Sequence, residues 1–233
     1  MKKTVLLVCM VLSSILLYSK DYYMEIKTYT KTDQKESSSV SKVWLAPQKM
    51  KIEQNKEMVI LRNDINSLFY GNIATKKYLS FDKKKLFLLE IIMNLMLSGT
   101  HYKIDTIQFL QKDVQNINGW NCYKTRITVV TDDRYKTRSI LTVWSAKKLI
   151  LDYSVMDHIV PLISTPFSTI KEFADKVEGF PVLVEGIVNV GNEPVHIKGE
   201  LVKATVTSFP DKTFDIPSDY EEMNFNLFSS DDQ

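Results

Sequence analysis

The sequence predicts a mainly β protein with helices, an α+β fold in which an unclosed, strongly curved antiparallel β-barrel carries a helical lid or plug. Three features of the 233-residue chain lead there. Most of it falls into short segments of period-two alternation separated by turn residues, the pattern of strands with one buried face. The connections between these segments are mostly too short for parallel crossovers, so neighbours pair antiparallel. One segment, Leu86 to Leu97, breaks the pattern with a twelve-residue run whose only polar members are Glu90 and Asn94.

Residues 1–19 read as a signal peptide: Lys2 and Lys3, an apolar stretch from Val5 to Leu17, and a cleavage site at Leu17-Tyr18-Ser19. Cys9 follows Val8 with only a few apolar residues upstream, which does not fit a lipid-modified cysteine. Cleavage leaves Cys122 without a disulfide partner in the chain, so stability rests on burial. Residues 20–233 then form a single domain. Tyr22 to Lys31 alternates as a first strand, and Gln34 to Ser39 reads as a Ser-rich turn. Strands follow at Val40 to Leu45, Lys49 to Glu53, Met58 to Arg62, Ser67 to Tyr70 and Lys76 to Phe81, with turns at Pro47, Asn63-Asp64 and Gly71-Asn72. His101 to Asn118 is weakly patterned, a strand and a loop. Trp120 to Thr131 and Thr137 to Ala146 make the clearest hairpin, with Tyr123, Thr125, Ile127 and Val129 on one face. Ile150 to Tyr153 adds a short strand. Met156 to Val177 reads as a helix interrupted by Pro161 and Pro166, and Phe180 to Val190 with Val195 to Phe209 forms a final hairpin. The total is about ten strands with two helical segments on the concave side.

Lys83 to Ser98 is expected as a helix stopped by Gly99. At 3.6 residues per turn, Lys83, Phe87, Glu90, Asn94 and Ser98 share one stripe, and the apolar arc covers about twice the roughly 100° of an ordinary surface helix. The run is too short to cross a bilayer, which takes about 20 residues. A core helix and a helix closing over a hydrophobic groove both satisfy it. In the second reading Leu88, Ile91, Ile92, Met93, Leu95 and Met96 face a ligand together with Trp44, Trp144 and Phe180, and the thioethers adapt to variable chains. Glu90 either faces water or meets a ligand headgroup at the groove mouth. Cys122, on a strand beside Trp120, is expected as a buried thiol packing as a small hydrophobe.

Thirty basic residues against 28 acidic ones leave almost no net charge, and no basic cluster of the kind nucleic acid requires occurs. His101, His158 and His196 lie far apart, without ligand spacing. No nucleophile elbow, phosphate-cradling glycine loop or HExxH motif appears, and the chain has only seven glycines. The reading is therefore non-enzymatic, with no cofactor and no metal.

Five short signatures occur in order: Trp44-Leu45-Ala46-Pro47 followed by Lys49-Met50-Lys51; Ile117-Asn118-Gly119-Trp120-Asn121-Cys122; Val143-Trp144-Ser145-Ala146; Gly179-Phe180-Pro181-Val182; and Phe214-Asp215-Ile216-Pro217-Ser218. Together they resemble the Lol-type superfamily of periplasmic lipoprotein carriers, closest to its uncharacterised secreted, outer-membrane lipoprotein-sorting-like members. That resemblance implies an unclosed antiparallel barrel, a helical lid and a hydrophobic cavity for acyl chains. The lid-locking arginine of the carriers has no counterpart assigned among Arg62, Arg126, Arg134 and Arg138. The expectation is an exported, periplasmic or secreted monomer that binds or carries a lipid or an acylated protein, with transient membrane contact and no nucleic acid. The alternative is an envelope protein-interaction or sensor module of the same fold with a self-filled cavity.

Overall fold

The structure is a computed structural model in which residues 21–82, 85, 102–131, 137–149, 177–190 and 193–223 are described. They form one twelve-stranded sheet. The strands are β1 (Asp21–Lys31), β2 (Glu36–Ala46), β3 (Lys49–Gln54), β4 (Glu57–Arg62), β5 (Ser67–Asn72), β6 (Lys77–Phe81), β7 (Tyr102–Ile117), β8 (Trp120–Thr131), β9 (Arg138–Ala146), β10 (Phe180–Val190), β11 (Glu193–Thr207) and β12 (Glu221–Glu222). Their order is β12-β6-β5-β4-β3-β2-β1-β11-β10-β9-β8-β7. Two antiparallel meanders, β1 to β6 and β7 to β11, are thus joined where β1 pairs with β11.

Period-two alternation decides which face each side chain takes. In β1 the buried residues are Tyr22, Met24, Ile26 and Thr28, each separated by a more exposed neighbour. Cross-strand partners share a face, so the register can be followed across the sheet. One row runs Phe81, Leu68, Leu61, Met50, Leu45, Tyr22 and Val206, from β6 to β11. Another runs Ser39, Thr28, Gly199, Val184, Val143, Thr125 and Phe109, from β2 to β7. We call this side the core face. Its buried members, among them Met24, Leu45, Val143, Val184 and Leu201, form the main hydrophobic cluster.

The β7–β8 turn closes over part of that face. Asn118 and Gly119 both take positive φ, at 51° and 90°, as a two-residue hairpin turn requires. From there Asn118 Nδ2 donates to the Leu201 carbonyl at 2.9 Å and to Glu200 Oε1 at 3.0 Å, so the hairpin tip reaches past β9 and β10 to β11. Ile117 and Cys122 are buried at this tip within the main cluster.

The back face carries a second cluster, Ala46, Met58, Ile60 and Phe214, flanked by Trp44, Phe69, Ile73, Phe209, Ile216 and Tyr220. Phe209, Phe214, Ile216 and Tyr220 come from the segment after β11, which crosses this face as a strap. Its course is fixed by the Phe209 amide on Asp21 Oδ2 at 2.9 Å and by ion pairs Lys49–Asp211 (2.8 Å), Arg62–Asp215 (2.7 Å) and Lys76–Asp219 (2.7 Å). The strap ends as β12, which adds to β6 in parallel.

These observations correct the expected fold class. The protein is an open mixed sheet and not a strongly curved β-barrel with a helical lid or plug. The meanders extend the sheet in both directions by hairpins, its ends β12 and β7 do not pair, and one pair is parallel. Among the described residues there is no α-helical element, only 3₁₀ turns at Asn63–Ile65 and Asp211–Phe214. The segments expected as helices, Lys83 to Ser98 and Met156 to Val177, lie outside the described residues apart from Lys85 and Val177, as do the signal peptide and the short strand at Ile150 to Tyr153.

Two strands also depart from their expected bounds. β2 starts at Glu36 within the segment read as a turn, because Ser37 and Ser39 pair with Thr30 and Thr28 instead of leaving the sheet. β7 is one strand of 16 residues, not a strand and a loop. Register shifts between Ile104 and Thr106 and between Leu110 and Val114 break its alternation.

Candidate functional site

The core face is sorted by chemistry along its length. On the β3–β6 wing it presents Ile52, Val59, Leu68, Tyr70 and Leu79, all only half-buried. Burial, followed by a hydrogen bond to Glu57, pushes the Tyr70 hydroxyl above its ordinary pKa. An apolar surface of this kind, flanked by buried neighbours, is the part of the sheet on which a hydrophobic ligand gains most from leaving water.

Beside the wing lies a strip of uncharged polar groups on the same face. Thr28 Oγ1 and Ser39 Oγ are 2.8 Å apart, Thr30 Oγ1 and Ser37 Oγ 2.6 Å, and Gln54 Nε2 donates to Ser39 Oγ at 2.6 Å. Ser41 follows in register between Gln54 and Ile26. Of the six buried polar residues described, Thr28, Ser41, Thr125, Ser139 and Ser145 share the parity of the core face, and all five are hydroxyls. Ser139 Oγ accepts the Asn189 amide at 3.2 Å. Ser145 Oγ, by contrast, is fully buried without a hydrogen-bond partner. Sequence reading missed the strip because it placed Ser37 and Ser39 in a turn. The available signal was a serine at every second position from Ser37 to Ser41, continued by Val43 and Leu45.

Charge is almost confined to the other face. In the registered rows it reaches the core face only at strand ends and the rim: Glu57, Lys77 with Glu221 beside it, and Glu193. Lysines on the back face lie over aromatic rings, Lys51 5.2 Å from the centre of Trp44, Lys124 5.4 Å from Trp144 and Lys203 5.4 Å from Tyr23. Tyr23 packs edge-on against Trp44 and donates to Glu25 at 3.0 Å; burial and that bond raise its pKa to about 12.

The structure separates Trp44 from Trp144 and Phe180, which the sequence groups on one cavity wall. Trp44 lies on the back face beside the second cluster, Phe180 is buried in the main cluster, and Trp144 packs partly against the main cluster. Leu88, Ile91, Ile92, Met93, Leu95, Met96 and Glu90 lie outside the described residues. Cys122 is fully buried, 3.4 Å from the Trp120 carbonyl, and burial pushes its thiol up to about 11. Among the described residues no group of three or more His, Cys, Asp and Glu side chains is placed to hold a metal ion.

Comparison with known proteins places the chain as follows. No curated protein matches the sequence. Among solved structures it resembles the LolA superfamily protein NE2245 from Nitrosomonas europaea, at 9% identity and a TM-score of 0.35, over 90% of this chain and 96% of that one. It is also similar to a domain described as an outer-membrane lipoprotein-sorting protein from Vibrio parahaemolyticus, at 9% identity and a TM-score of 0.33, over 86% of this chain and 91% of that one. A third similar structure is PNGF-II, at 11% identity and a TM-score of 0.37; 88% of this chain is covered, and it spans 31% of that protein's length. The model of the family described as a domain of unknown function (DUF4412) matches residues 23–220, nearly all of the described sheet, and the chain belongs to that family.

Proposed function

We propose that the protein is an exported, non-enzymatic binder or carrier of a hydrophobic ligand, a lipid or the acyl chains of a lipid-modified protein in the cell envelope. The observation that carries this reading is the half-buried apolar wing of the core face, Ile52, Val59, Leu68, Tyr70 and Leu79, continuous with the main cluster. Transfer would be by partition. Acyl chains leave a membrane for an apolar protein surface because both environments exclude water, and contact of this kind gives little directional selectivity. The segment Leu86 to Leu97 follows directly on β6, the last strand of that wing, and Leu88, Ile91, Ile92, Met93, Leu95 and Met96 are its ligand contacts in this proposal. The apolar stretch after Lys2 and Lys3 supports export to the periplasm or beyond.

The reading is tested with a pyrene-labelled acylglycerol and the mature chain. Ile52→Gln and Leu79→Gln each place a polar group on the wing and should weaken binding about tenfold or more, while Ile140→Gln on the opposite face should leave it unchanged. Equal binding by all three variants contradicts the reading.

A second reading has one observation of its own. β7 ends the sheet, and Phe109 and Val114 on it are 51% and 53% exposed, so this edge could take a strand from an envelope protein. Its bulges at charged residues, Asp105 in one and Lys112 and Asp113 in the other, are features that discourage such pairing. The lipid reading is therefore preferred.

A further inference from the structure

We infer that the core face selects ligands whose polar groups are uncharged hydrogen-bonding ones, such as the ester and hydroxyl groups of an acylglycerol, over lipids with an anionic headgroup. This rests on the acyl-binding reading above and specifies what that site accepts.

The argument starts from what an acyl ligand must bring with it. An acyl chain lying on the β3–β6 wing carries its linking group to one end of the chain, and that group loses water as it enters. A buried polar group then needs a hydrogen-bond partner, and a buried charge needs a counter-charge as well. In its registered rows the core face offers the first and, away from the rim, withholds the second. Thr28, Thr30, Ser37, Ser39, Ser41 and Gln54 supply hydroxyl and amide groups within three adjacent strands, beside Ile52 and Val59. A hydroxyl both donates and accepts, so this strip suits carbonyl and hydroxyl groups equally. Among the described residues no lysine or arginine shares the strip. Lys27, Lys31, Lys42 and Lys51, on the same strands, all have the opposite parity and belong to the back face. In the registered rows the cation on the core face is Lys77, at the rim, where Glu57 lies two strands away in the same row and Glu221 approaches at 3.9 Å.

The internal bonds of the strip, Thr28 to Ser39 and Thr30 to Ser37, hold the hydroxyls on this face without using all of their hydrogen-bonding capacity.

The test incubates the mature full chain with vesicles of phosphatidylcholine containing equal small amounts of dioleoylglycerol and phosphatidylglycerol, re-isolates the protein and quantifies extracted lipid by mass spectrometry. Dioleoylglycerol is expected in the extract about tenfold or more over phosphatidylglycerol. Ser39→Ala should cut that preference at least about threefold while total acyl binding persists, with far-UV circular dichroism confirming the fold. The partly exposed Ser37→Ala serves as a second variant of the strip. Equal or greater uptake of phosphatidylglycerol overturns the inference and leaves the acyl-binding reading standing, as does unchanged preference in folded variants. Uptake of neither lipid overturns both.

Discussion

Cys122 shows how completely one side chain's chemistry follows from its place. It is fully buried at the tip of the β7–β8 hairpin, and its thiol titrates near 11 because the thiolate would lose its hydration. A thiol reagent at pH 8 should therefore modify the native protein at least about 100-fold more slowly than the urea-unfolded chain. Because the folded pKa is raised, this group's contribution to stability is full below its ordinary value of 9.0 and is lost as pH rises towards about 11. Cys122→Ala should flatten that alkaline limb of the melting temperature. The buried thiol was readable in the sequence from its strand pattern beside Trp120. The hydroxyls of Ser37 and Ser39 were not, since serine marks turns more often than the buried face of a strand, and only their pairing with Thr30 and Thr28 shows which applies here.

At the scale of elements, the strap and β7 show where sequence pattern fails. β1, β3, β4, β8 and β9 lie within one residue of the bounds that the sequence predicts, and β1 alternates cleanly from Tyr22 to Thr28. β7 was divided because its register shifts twice against β8. The strap has no period at all. Phe209, Phe214, Ile216 and Tyr220 dock singly on the back of β2 to β6, and the lysines and arginine that hold it come from positions far away in sequence. Phe214 is the buried apolar anchor of the strap, 1% exposed, with Phe209, Ile216 and Tyr220 only partly buried around it. Phe214→Ala should cost about 3–5 kcal/mol in urea unfolding, whereas Lys76→Ala, which breaks the exposed pair with Asp219, should cost less than about 1 kcal/mol. Comparable losses for the two would mean that ion pairs rather than the apolar anchor hold the strap.

The whole molecule is a sheet with two unlike sides. Among the described residues, most ion pairs, the cation–aromatic contacts of Lys51, Lys124 and Lys203, and the strap occupy the back, while the registered rows of the core face carry apolar side chains and uncharged polar groups, with charge at the rim. The alternation of polar and apolar residues in the sequence forecasts such a division, but it does not forecast curvature: the same alternation serves a strongly curved, unclosed barrel and an open sheet whose edge strands stay apart. Here β12 and β7 do not pair. A near-neutral chain whose described charges lie mostly on one side of its sheet is suited to holding apolar material on the other. The most direct test is native mass spectrometry of the mature chain, purified gently from an exporting host and then incubated with dioleoylglycerol. The account predicts an adduct of about one lipid per chain that solvent extraction removes. A protein mass that stays free of lipid both as purified and after the incubation would contradict it.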